Sequence, residues 1–221
     1  MIEDLLMFLG SGLCHQLPER SYFLGEVQMP LCARCIGIHL GFVLSVIYLS
    51  TGPRRFSSAL PRVWQLAVLG AVMSVFLGDS ILSYSGLSES DNLRRTLSGL
   101  ALGVPLPFLL VPLLNYVLYP GLNTKPVLDR PAGFMWLAGL YVMGAGAILL
   151  SSDYGPLFWG VSLTGIAGMF VFYSLAISAQ TSILLEKRPF TALQKIALGT
   201  AIGISLLLIL ALLHDSLFPA S

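Results

Sequence analysis

Long apolar runs alternate with short connectors rich in charge, proline and glycine, and the runs fall at 31–49, 63–83, 94–116, 132–150, 157–184 and 193–213. A helix crossing a hydrocarbon core needs about 20 predominantly apolar residues, so each run is long enough to span. The pattern predicts an all-α, polytopic membrane helical bundle of about six transmembrane helices. Ahead of it, MIEDLLMFLGSG carries Glu3 and Asp4 and no Lys or Arg, so it does not read as a cleavable signal peptide. It is expected to form a short interfacial or re-entrant helix. Residues 16–29, broken by Pro18 and Gly25, read as a loop at the membrane surface, and Pro30 suits the start of a helix.

Within the spans, small-xxx-small pairs at Gly37/Gly41, Gly99/Gly103 and Gly199/Gly203 predict helices that approach closely. Pro105, Pro107 and Pro112 predict a kinked third span. Ser88 and Asp91 have the spacing of a pair capping that span. The chain reads as one integral-membrane domain over 1–221: interfacial helix and Cys/His loop at 1–30, motif-bearing spans one to three at 31–116, spans four to six at 117–221.

Composition agrees with lipid as the main solvent. Hydrophobic residues make up 56% and charged residues 10%, and mean hydropathy is +0.83. A net charge of +1 supplies no basic stripe for a nucleic-acid partner. The Lys and Arg residues nevertheless divide unevenly. Arg54, Arg55, Arg62, Lys125, Arg130, Lys187, Arg188 and Lys195 fall on one side of the six-span topology, and Arg20, Arg34, Arg94 and Arg95 on the other. By the positive-inside rule the eight-charge side is cytoplasmic. The N-terminus and the cysteine stretch are then expected on the external or periplasmic side of the cell membrane.

All three cysteines and two of the three histidines sit in CHQLPERSYFLGEVQMPLCARCIGIHLG, from Cys14 to Gly41. A Cys-His pair followed by Cys-x-x-Cys gives donors from which a tetrahedral site can be built, with Cys14, Cys32, Cys35 and His15 as candidate ligands of zinc or another thiolate-preferring transition metal. Two alternatives stay open. A CxxC at a helix start in an oxidising compartment suits thiol–disulfide exchange, and buried cysteines also serve as small hydrophobes. His39, one turn deeper, reads as a packed histidine, and His214 as a helix-end residue set against the C-terminal dipole.

A second group lies at the ends of spans two and three. Asp79 is costly in a membrane unless partnered, and an Asp79–Arg95 ion pair is expected. Asn92, Arg95 and Gly99 share a helix face at i, i+3 and i+7. Arg20, Arg34 and Arg94 suit bidentate capture of a carboxylate or phosphate.

At these residues the chain resembles a bacterial and archaeal integral-membrane family catalogued as domain of unknown function 2085. The resemblance rests on Cys14-His15-Gln16-Leu17-Pro18-Glu19-Arg20-Ser21, on Pro30-Leu31-Cys32-Ala33-Arg34-Cys35-Ile36-Gly37-Ile38, and on Asn92-Leu93-Arg94-Arg95 leading to Gly99 and Gly103. It spans residues 11–103. The family has an aromatic where this chain has His39. Membership implies a shared site and no established reaction.

These residues lead to three expectations. The first is a metal-dependent enzyme acting on an anionic lipid or isoprenoid head group, with Asp79, Asn92, Arg95 and His15 catalytic and Arg20, Arg34 and Arg94 binding substrate. The second is a quinone-linked thiol–disulfide oxidoreductase using Cys32 and Cys35, with Cys14 as relay. The third is a small-solute or ion transporter with a structural metal and the Asp79 ion pair as gate.

Overall fold

The computed structural model of the chain describes residues 2–51, 55–119, 126–128 and 132–217. Arg54, Lys125 and Arg130, three of the eight charges expected on the cytoplasmic side, lie outside the described residues. Element order is α1 (Ile2–Ser11), a 3-10 turn (Pro18–Arg20), β1 (Phe23–Leu24), β2 (Val27–Gln28), α2 (Ala33–Thr51), α3 (Val63–Tyr84), α4 (Asn92–Gly103), α5 (Pro107–Leu118), α6 (Ala132–Ser151), α7 (Gly155–Leu184) and α8 (Ala192–Leu217). Among the described residues six helical segments are long and apolar enough to cross a membrane, α4 and α5 together forming the third. The all-α membrane bundle read from the apolar pattern is therefore the fold.

The connector at 16–29 is more ordered than a plain loop. It folds into the 3-10 turn and a small antiparallel hairpin in which Phe23 pairs with Gln28 and Leu24 with Val27. Gly25, at a φ of +60° that L side chains rarely adopt, makes the turn.

α2 is the central span, packed by α4 and α7, both of which run parallel to it. The glycine pairs explain the close approach. A Cβ on Gly37 would stand 2.7 Å from the Thr96 carbonyl oxygen. One on Gly99 would overlap the Arg34 carbonyl, and one on Gly103 the Ile38 carbonyl. On the other flank Gly168 abuts the His39 carbonyl. His39 is buried there with its ring centroid 6.1 Å from that of Phe172.

The third span breaks where the prolines predict. Pro105 and Pro107 offer no N–H to the carbonyls four residues back, and α4 gives way to α5. Ser45 Oγ donates to the Val104 carbonyl at 2.9 Å and satisfies one oxygen at the bend. α3 is peripheral: it packs on α4, and only Gln65, Leu69 and Asp79 along it are buried. It is held at both ends, by Asp79 at one and at the other by Gln65, whose Nε2 donates to the Leu128 carbonyl.

Among the described residues three apolar clusters make up the core, a small one around Leu114, Leu118 and Ala179 and two larger ones. One, with Leu6, Cys14, Met29, Leu31, Ile36 and Phe158, joins α1 and the connector to α2 and α7. The other, with Leu49, Leu69, Leu100, Phe108 and Leu137, fills the opposite end. α1 lies against α8, where a Cβ on Gly12 would stand 2.8 Å from the Leu207 carbonyl oxygen. The N-terminal segment thereby covers the end of the bundle that carries the cysteines.

Candidate functional site

The stretch between α1 and α2 is held by two glutamines. Gln16, with a φ of +49°, donates from Nε2 to the Met7 carbonyl at 2.7 Å and to the Pro30 carbonyl at 2.8 Å. A non-glycine residue rarely adopts that backbone conformation, and here the two bonds over-determine it. Gln28 Nε2 donates in turn to the Gln16 carbonyl at 2.6 Å and to Ser21 Oγ at 3.1 Å. Two further bonds tie the connector to α4. Tyr22 OH and Thr96 Oγ1 lie 2.9 Å apart, and Asn92 Nδ2 donates to the Ser21 carbonyl at 3.0 Å. Burial pushes the Tyr22 phenol above its ordinary pKa, so the tie is made by a neutral hydroxyl. Gln16→Ala removes two partly buried bonds and is expected to cost about 1–3 kcal/mol. Faster labelling of Cys14 by a thiol reagent would register the loosened loop.

This scaffold brings Cys14 to the start of α2. The Sγ atoms of Cys14, Cys32 and Cys35 all lie within 4.8 Å of one another. All three are free thiols, and Cys14 is 2% exposed. Cys32 N donates to Cys14 Sγ at 3.2 Å. The Cys14 thiol is pushed up to about 11, first by its hydrogen bond with Cys32 and then by burial. Sulfurs around a tetrahedral ion with metal–sulfur bonds of about 2.3 Å stand about 3.8 Å apart, a spacing this triad can adopt with small shifts.

Of the four expected ligands, three come together. His15 is exposed, and its nitrogens lie outside the sulfur cluster. Adjacent side chains in an open segment point apart, so turning Cys14 inward turns His15 toward the rim. There it lines, with the three cysteines, a chamber of about 170 Å³ whose other walls include Arg20, Arg34 and Arg95. Among the described residues no Asp or Glu lines this chamber.

The three arginines differ in their partners. Arg20 meets Glu19 loosely, Nε to Oε1 at 3.8 Å on the surface. Arg34, between the two cysteines of the CxxC, donates from Nη2 to Asp79 Oδ2, and its guanidinium lies 5.8 Å from the centre of the Tyr84 ring. Arg95 is 9% exposed, its Nε has no hydrogen-bond partner, and among the described residues no carboxylate pairs with it.

The ion pair expected between Asp79 and Arg95 is made instead with Arg34 and with Arg94, whose Nε lies 2.7 Å from Asp79 Oδ1. Ser90 Oγ and Ser98 Oγ donate to the same carboxylate at 3.1 and 3.0 Å. The reason is rotational phase. Successive residues on a helix are about 100° apart, so Arg94 turns toward α3 and Arg95 toward α2 and the connector. The cap is as expected in part: Asp91 Oδ1 accepts from Arg94 N at 2.7 Å, while Ser88 Oγ accepts from Arg94 Nη1 at 2.6 Å.

Asp79 and Arg94 border a second cleft of about 570 Å³. Through Val75 and Tyr141 it continues into an apolar slot of about 410 Å³ between α3, α4 and α6, walled by Val68, Val72, Val104 and Leu137. Asn92 borders neither the chamber nor the cleft, and His214 lies in the last turn of α8. The signals missed in the sequence are Gln16, Gln28, Ser90 and Ser98, ordinary polar residues whose importance comes from what they reach.

A family model described as a predicted membrane protein, DUF2085, matches residues 14–109. The match begins at Cys14 and takes in all the cysteines and all four arginines of this end of the bundle. An uncharacterized protein of Methanocaldococcus jannaschii is 31% identical over 118 residues, 53% of this chain and 74% of that one. An uncharacterized protein of Methanothermobacter thermautotrophicus is 31% identical over 107 residues, 48% of this chain and 92% of that one. No solved structure matches the chain.

Proposed function

We propose, given that this chain belongs to the DUF2085 family of predicted membrane proteins, that it is a metal-dependent membrane enzyme acting on the anionic head group of a lipid or isoprenoid. The observation that carries this reading is a cluster of three sulfurs forming one wall of a chamber whose buried Arg95 pairs with no carboxylate among the described residues. Cys14, Cys32 and Cys35 would hold the ion. Three thiolates suit zinc, or another thiolate-preferring transition metal, and leave one position for water or substrate. The bound ion would supply Lewis-acid polarisation of a head-group oxygen.

The remaining roles follow from position. Arg95 and Arg20 take the negative charge of the head. His15, at the rim, is within the chamber to give or accept a proton without being a ligand. Asp79 accepts hydrogen bonds from Arg34, Ser90 and Ser98 and pairs with Arg94, and serves to hold the two arginines rather than to act as a base. Arg94 orders the start of α4, and Asn92 fixes the connector through the Ser21 carbonyl. The cleft and apolar slot on the far side of the Asp79–Arg34 pair would take a hydrocarbon chain. The uneven division of Lys and Arg supports a chamber opening on the external face of the cell membrane.

Metal analysis of detergent-purified protein, with thiol titration of the same sample, tests the reading. Stoichiometric zinc is expected, with thiols that become reactive when a chelator removes it and metal falling to background in Cys14→Ser, Cys32→Ser and Cys35→Ser. A metal-free protein with a reducible Cys32–Cys35 bond would replace this reading with thiol–disulfide chemistry.

A further inference from the structure

We infer that the chamber beside the cysteines is a seat for a phosphate-class oxyanion, anchored by Arg95 and completed by Arg20. The inference rests on the preceding reading for the seat's use in a reaction, and not on the metal for binding itself.

Charge is the first argument. Arg20, Arg34 and Arg95 line one small cavity that no carboxylate among the described residues lines. Asp79 neutralises Arg34 from behind, and it is shared with Arg94. Glu19 sits on the surface 3.8 Å from Arg20, its side chain 65% exposed, where such a pair is weak. Three thiolates around a divalent ion would leave a single negative charge, enough for one guanidinium. Positive charge remains in excess with or without an ion.

Burial is the second argument. An arginine with nine-tenths of its residue surface covered, whose buried Nε finds no acceptor among the described residues, carries a desolvation cost that an anion in the chamber would offset. Arg34 Nε is also buried without a partner. Direction is the third. The donors arrive from α4 through Arg95, from the connector through Arg20 and from α2 through Arg34. A tetrahedral oxyanion offers acceptors in several directions at once, whereas a planar carboxylate is met by a single fork. A volume of about 170 Å³ admits a phosphate with a few waters. The phosphate this seat would take is free or a monoester at the end of a lipid.

The test uses the full chain in detergent micelles and follows its thermal unfolding and binding heat as inorganic phosphate is added. A saturable response is expected. It should weaken roughly ten- to hundred-fold in Arg95→Gln, as for loss of hydrogen bonds to a charged group, and partly return in Arg95→Lys. Should Arg95→Gln fail to fold, Arg20→Gln, on the connector surface, is expected to weaken the response several-fold. The triple Cys→Ser variant is expected to keep the response, which separates failure of the metal reading from failure of this one. Two further arms identify the source. Phosphatidic acid in mixed micelles that competes with phosphate, where diacylglycerol does not, assigns a lipid phosphomonoester; phosphate binding without such competition assigns the free ion. A response absent in the wild type, or unchanged in both arginine variants, overturns the inference.

Discussion

Asp79→Ala is expected to lower folding stability by about 3–5 kcal/mol, the usual cost of removing one partner from a buried charge cluster. The side chain is 4% exposed and Arg34 11%, so the substitution strands a guanidinium that water reaches poorly. Arg94, at 40%, recovers hydration and adds little. Ser90 loses its acceptor at the same time, while Ser98 keeps the Arg95 carbonyl at 3.0 Å. The effect is concentrated because α3 has few other attachments at this end. Asp79→Asn keeps the shape and an acceptor oxygen but not the charge, and should fall between the wild type and the alanine variant. Denaturation in micelles measures the loss, and metal analysis of Asp79→Asn measures the role. Unchanged zinc in a destabilised protein marks Asp79 as the residue that braces Arg34. An alanine variant as stable as the wild type would remove the brace from the description.

The second large effect is expected at Gly99 and Gly103. Any side chain there begins with a Cβ that overlaps a carbonyl of α2, that of Arg34 or that of Ile38. Backbone cannot yield as a flexible side chain can, so the helices must separate. Overpacking commonly costs about 1–3 kcal/mol and more where nothing can relax, and Gly99→Leu and Gly103→Leu belong at or beyond the upper end. The consequence at Gly99 is also chemical, because the carbonyl displaced lies between Cys32 and Cys35. Loss of bound metal should accompany loss of stability. Gly70, Gly139 and Gly146 provide internal controls, since a Cβ on each meets nothing within 4 Å. Alanine at those positions is expected to be neutral or to stabilise slightly through helix propensity. Equal effects at both sets of glycines would contradict the packing of α2 on α4.

The features legible in the sequence were those set by local chemistry. Run length gives the six spans, Pro105 and Pro107 give the break between α4 and α5, and paired glycines mark the faces that meet. The candidate site was legible because all three cysteines fall in one stretch of so apolar a chain, with four of the nine arginines on the same side of the topology. What spacing along one helix cannot supply is the rotation of that helix against its neighbours. Asn92, Arg95 and Gly99 do lie on one face, yet Asp79 faces Arg94, one residue away and about 100° around α4. His15 illustrates the same point in an open segment, where the side chain beside a buried cysteine turns outward. Gln28 carries no signal of its own and Gln16 stands out only within the Cys14–Ser21 motif, since the weight of both comes from carbonyls that folding brings to them.

The length of α7 walls one side of the cysteines. Gly165 abuts Ile36, so the first turns of α7, from Gly155, run past the CxxC turn of α2. Phe158 and Val161 on those turns share a cluster with Cys14 and stand like a parapet beside the sulfurs. An ion or a charged ligand would reach them from the other side, past His15 and Arg20 on the connector.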